Sequence, residues 1–226
     1  MTGKKIEVPK QSKGDVAHAL TKAGLSVIPV VGGPAVELFQ LLIQPPLEKR
    51  RTEWMADVGE KLRELEVKGL KLEDLQKNEE FVSAVMYASH VALRTHKAEK
   101  LNALRNAILN VAKGQAPEET VQHLFLNFID SFTELHLRIL KAFQAPSPPP
   151  NLSMGGLSDE LEHNIPDLRG RKLEELCGQL WKDLASRGLV VDVDDDRLAT
   201  TMSVHGAKKR TTGLGDAFLK FIAEPV

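Results

Sequence analysis

Residues 24 to 51 read GLSVIPVVGGPAVELFQLLIQPPLEKRR, an apolar run interrupted by Pro29, Gly32, Gly33 and Pro34 and closed by Lys49, Arg50 and Arg51. Crossing hydrocarbon takes about 20 mainly apolar residues in one helix. Here Gly32-Gly33-Pro34 cuts the run into pieces of about nine residues, each about 13 Å long at the helical rise. Glu37, Gln40 and Gln44 lie in the second piece, and a charge at the membrane centre is costly. The run therefore predicts no integral membrane span. Its first reading is a pair of short helical arms buried in a helical bundle. Peripheral membrane contact through the apolar hairpin 25–43, aided by Lys49, Arg50 and Arg51, is the second. Conditional insertion is the third.

Aromatic residues make up only 5% of the 226-residue chain against 42% hydrophobic residues overall, so Leu, Ile, Val and Ala must fill the core. That favours helix packed on helix. The net charge of −1 argues against a protein that coats nucleic acid through bulk charge. Cys177 is the single cysteine, which rules out an intrachain disulfide and suits a reducing, cytoplasmic setting. The N-terminal cations have no apolar core close behind them, so no secretory signal is expected.

Residues 1–14 read as a flexible arm and 15–143 as a helical bundle. Asp15 and Gly24 bracket a short helix. From Pro46 a charged helix carries Trp54, Val58, Leu62 and Leu65 at spacings of four, four and three, and Gly69 ends it. Asn78, with Glu79 and Glu80 behind it, is a good helix start. The pattern then runs without proline to Gly114, as one helix or as two with a bend near Thr95. Pro117 suits the first turn of the next helix, whose stripe is Val121, Leu124, Phe125, Phe128 and Ile129. Phe132 to Phe143 continues or restarts it.

Residues 144–157, rich in Pro and Gly, read as a linker. Beyond it, 158–226 predicts a short helix and an amphipathic helix with Leu173, Leu176, Cys177, Leu180 and Leu184 inward. A hairpin around Asp192–Asp196 and a final helix with Leu214, Phe218, Phe221 and Ile222 inward complete a winged-helix-like α+β module. The fold expected is thus mainly α, with that small module appended.

No catalytic set, cofactor motif or metal site is nominated. His90 and His96 are six apart and off a shared face, while Glu119 and His123 read as a surface pair. Asp192–Asp196 lacks the glycine and glutamate of a calcium loop, so it reads as a solvated turn. Cys177 reads as core, and Gly213-Leu214-Gly215 as a tight entry into the last helix. Lys208, Lys209 and Arg210 would lie at the wing, where they could meet phosphates, although 158–226 is acidic overall.

Three stretches carry a likeness of layout: IPVVGGPAVELF with PPLEKRRTEW, the middle through RTHKAEKLNALRNAI, and the closing TTGLGDAFLKFI. In this the chain resembles bacterial helical proteins grouped with the abortive-infection (phage-defence) families of the alpha type. The resemblance implies a bacterial cytoplasmic origin and transfers no catalytic residues. The expected function is non-catalytic protein–protein interaction or regulation, through a protein partner or a homo-oligomer. A membrane-active effector and a DNA-binding regulator are the alternatives.

Overall fold

A computed structural model describes residues 33–146, 163–166, 174–191 and 209–225. They form eight named helices: α1 Gly33–Val67, α2 Leu72–Leu75, α3 Glu79–Arg94, α4 Ala98–Ala112, α5 Glu119–Ser131, α6 Glu134–Gln144, α7 Glu174–Ser186 and α8 Gly213–Ile222. The chain divides into two compact units, Met1–Pro46 and Leu47–Val226.

Local chemistry sets most of the helix ends within the second unit. Gly69 takes φ 103, a left-handed value that glycine accepts without Cβ strain, just after α1 stops. Asn78 Oδ1 accepts the Phe81 N–H at 3.1 Å, with Glu79 and Glu80 on the positive end of α3. The long middle pattern is two helices, because Thr95 is extended and closes α3. Pro117 precedes the Glu118 N-cap of α5 instead of opening its first turn. After α5, the chain restarts at Thr133.

The core of this unit is continuous. It runs from Trp54 and Val58 through Leu104, Ile108, Phe125 and Ile129 to Leu180, Trp181, Phe218 and Ile222. The helices of 174–222 therefore pack into the same interior as those of 79–144. Trp54 Nε1 donates to Ser89 Oγ at 2.9 Å, and both oxygens of Asp57 accept from Arg105 Nη1 at 3.0 Å, tying the later turns of α1 to α3 and α4. On α7 the inward residues are Cys177, Leu180, Trp181 and Leu184. Leu176, expected inside, is 45% exposed, whereas Trp181 is buried edge-on to Phe143, 5.0 Å away.

Scarce as they are, the aromatic rings concentrate. Phe218 of α8 stands edge-on to Phe125, Phe128 and Phe132, at centroid distances of 5.3, 5.9 and 6.1 Å. Such geometry sets the positive ring edge against a negative face. The entry into α8 is as tight as its glycines suggest. Thr212 Oγ1 accepts the Gly215 N–H at 3.0 Å, and a Cβ on Gly215 would stand 2.1 Å from the Leu189 carbonyl oxygen.

The mainly α expectation holds, while the winged-helix-like α+β module receives no support. Among the described residues the only strand-like feature is the antiparallel bridge of Val190 with Thr211. The acidic turn expected at 192–196 lies outside the described residues, as do 1–32 and most of the linker.

One interaction of the core leaves no trace in apolar spacing. Asn110, 4% exposed, places Nδ2 at 2.9 Å from the carbonyls of both Phe221 and Ala223. Asn106 Nδ2 donates to Ile222 O at 3.0 Å. The last turn of a helix leaves carbonyls without helical donors, and here two asparagines of α4 supply them to α8. Replacing Asn110 by Leu would strand buried carbonyls, and should lower unfolding free energy by about 2–3 kcal/mol in urea titration. A loss under about 0.5 kcal/mol would mean that these contacts do not hold α8.

Candidate docking surface

The first arm of α1 departs from expectation. Residues 36–50 are exposed throughout. Val36, Leu38, Phe39, Leu41, Leu42, Ile43 and Leu47 show 42–73% of their surface to solvent. Seven of the eight phenylalanines are buried, and the exception is Phe39. The remaining exposed apolar side chains, such as Val67, Met86 and Leu124, are dispersed along the chain. Single exposed apolar residues are ordinary, whereas contiguous ones mark an interaction surface.

The helix begins at Gly33, where the double glycine breaks the run, with Pro34 tolerated in the first turn because its N–H would lack a partner anyway. No new helix starts at Pro46; α1 passes through both Pro45 and Pro46. Neither proline can donate, so the ladder loses its bonds to the carbonyls of Leu41 and Leu42. Both residues are exposed, and water can satisfy those carbonyls.

At 100° per residue, Glu37, Gln40, Gln44 and Glu48 fall within about 80° of arc, and the apolar side chains spread over about 240°. No described helix is long and apolar enough to cross a membrane. The three cations follow directly. Lys49 lies 3.8 Å from Glu53 with both side chains largely exposed, Arg50 Nη1 reaches the Leu93 carbonyl at 3.4 Å, and Arg51 is exposed. Surface pairs of this kind contribute little, which leaves the cations available to an external anion.

The residues expected at the wing are placed otherwise. Lys209 Nζ donates to Asp216, which also accepts from Thr211 Oγ1 at 2.7 Å. Lys209 first, then Thr211, hold the Asp216 carboxyl below the usual carboxylate range. The backbone of Arg210 bonds Phe143 O through its N–H and the Val191 N–H through its carbonyl. Lys208 lies outside the described residues. Cys177 is buried on α7 as expected. Glu119 and His123 stand 3.7 Å apart on the surface, and no group of three metal-competent side chains occurs among the described residues.

Sequence spacing gave no hint of one polar cluster. Phe128, Phe132 and His136 stack at i, i+4 and i+8 across the break between α5 and α6, with centroids 5.5 and 4.9 Å apart. The Arg187 guanidinium lies 5.0 Å from the Phe132 ring centre. His136 Nδ1 accepts the Thr133 N–H at 3.1 Å, filling the place glutamate takes in a capping box. Nε2 therefore carries the proton, and it stands 3.2 Å from Asp183 Oδ2 without hydrogen-bond alignment, an electrostatic contact only. The Thr133 hydroxyl stands 2.9 Å from His136 Nδ1, so hydroxyl, imidazole and the Asp183 carboxylate lie together in this cluster.

Burial pushes the His136 imidazole below the ordinary histidine range, against the pull of Asp183. As pH falls through about 6.5, the unfolded chain binds this proton before the folded one does. Stability contributed by neutral His136 is therefore present above that pH and lost as it falls toward the depressed folded value. Urea midpoints should fall between pH 7.5 and 5.5, and His136→Asn, which keeps an acceptor for Thr133, should flatten that slope. An unchanged slope would remove His136 as its source.

Comparison with protein families, with curated proteins and with solved structures returns no match for this chain.

Proposed function

We propose that this is a non-catalytic docking protein, in which α1 from Val36 to Leu47 is the element that engages a partner surface. The contiguous exposure of seven large apolar side chains carries the reading. Their burial against a partner would be favourable by about 25 cal/mol per Å2 of apolar surface removed from water. The second unit has its own continuous core. The likeness of layout to abortive-infection proteins supports a role in phage defence. The single, buried cysteine suits a bacterial cytoplasm. A winged-helix-like DNA contact through Lys208, Lys209 and Arg210 has weaker support, since Lys209 is engaged by Asp216.

The exposed patch should bind the apolar dye ANS in the native protein, and Leu38→Gln/Leu42→Gln should abolish that signal. Because both sites are exposed, the double variant should keep the wild-type unfolding midpoint within about 0.5 kcal/mol. A native protein that leaves ANS dark, or a variant that binds it equally, would contradict the docking reading.

A further inference from the structure

Resting on that docking reading, we infer that the occupant of the apolar arc is an anionic lipid surface, into which α1 inserts along the interface without spanning. Three observations favour lipid over a protein groove. The first is the width of the arc. A helix that docks in a single groove presents one stripe at i, i+3, i+4 and i+7, whereas here apolar side chains cover about two-thirds of the circumference. Only the line of Glu37, Gln40, Gln44 and Glu48 is left to face water. A bilayer interface covers a helix on all sides but one.

The second is charge. Residues 1–51 hold eight Lys and Arg against four Asp and Glu, a net +4, while residues 52–226 hold 22 against 27, a net −5. The segment that carries the apolar helix is thus the cationic part of an otherwise acidic chain. Lys49 and Arg50 project, at 100° per residue, on the apolar side of the helix just past Leu47, where long side chains can lie along acyl chains and place their charges among headgroup phosphates. An acidic body repelled by the same surface would leave this segment as the one that approaches it.

The third is depth. From Gly33 to Leu47 the helix is about 22 Å long, short of the roughly 30 Å hydrocarbon core. The carbonyls of Leu41 and Leu42, without helical donors opposite Pro45 and Pro46, need water or headgroups near them. Both facts fit a helix lying in the plane of the interface.

The test is flotation of the full-length protein with vesicles of phosphatidylcholine alone and with 30% phosphatidylglycerol. Flotation with the anionic vesicles at 50 mM salt, weakened at 500 mM, is expected. Leu38→Gln/Leu42→Gln should lower partitioning at least about tenfold by removing buried apolar area. Lys49→Gln/Arg50→Gln should lower it about tenfold through lost headgroup attraction. Phe39→Trp should add a blue-shifted emission component on vesicle addition, beyond that of the buried Trp54 and Trp181. No flotation at 50 mM salt overturns the lipid inference. With the ANS signal intact, docking itself survives. Self-association that Leu38→Gln/Leu42→Gln abolishes, without lipid binding, would name a second copy of the chain as occupant instead. Flotation indifferent to both double variants also overturns the inference.

Discussion

Phe218 edge-on against Phe125, Phe128 and Phe132 is the contact on which the second unit depends. It brings the last helix against α5, while Asn106 and Asn110 hold that helix's terminal carbonyls from α4. The stack of Phe128, Phe132 and His136 then spans α5 and α6, and Arg187, just after α7, packs over it. α5, α6 and α8, with Arg187 from the turn after α7, meet at one aromatic cluster. That is how a chain with so few rings builds a single interior across a proline-rich stretch.

The consequence for function is one of exposure. Among the described residues, the interior of the second unit runs from Trp54 to Ile222. The apolar side chains from Val36 to Leu47 are exposed, and exposing contiguous apolar surface costs free energy. Their helical order, the narrow polar line along them and the cations that follow make a surface suited to burial elsewhere. An anionic bilayer interface satisfies all three features at once.

Much of this was legible in the sequence, and what was not has a physical reason. Where apolar residues recur at helical spacing and end at a capping residue, as at Asn78 or Gly69, local chemistry decides and the reading holds. The tight entry at Gly213-Leu214-Gly215 was legible for the same reason. The fate of residues 36–47 was not. Hydropathy says that side chains avoid water, but not which surface covers them, so a bundle interior was the natural expectation. Continuity through Pro45 and Pro46 was hidden because proline's missing donor is usually prohibitive, and solvent at Leu41 and Leu42 relieves it. Asn110 and His136 were invisible as core residues because their burial depends on partners about a hundred or about fifty residues away. Trp181 was hidden for a similar reason: it is buried against Phe143, on another helix.

Hydrogen–deuterium exchange of the full chain, with and without phosphatidylglycerol vesicles, tests the central claim most directly. The account predicts strong protection of α4, α5 and α8 in both conditions, and protection of residues 36–47 only when vesicles are present. Strong protection of 36–47 in the protein alone would contradict it, because the arm would then already have its partner within the protein.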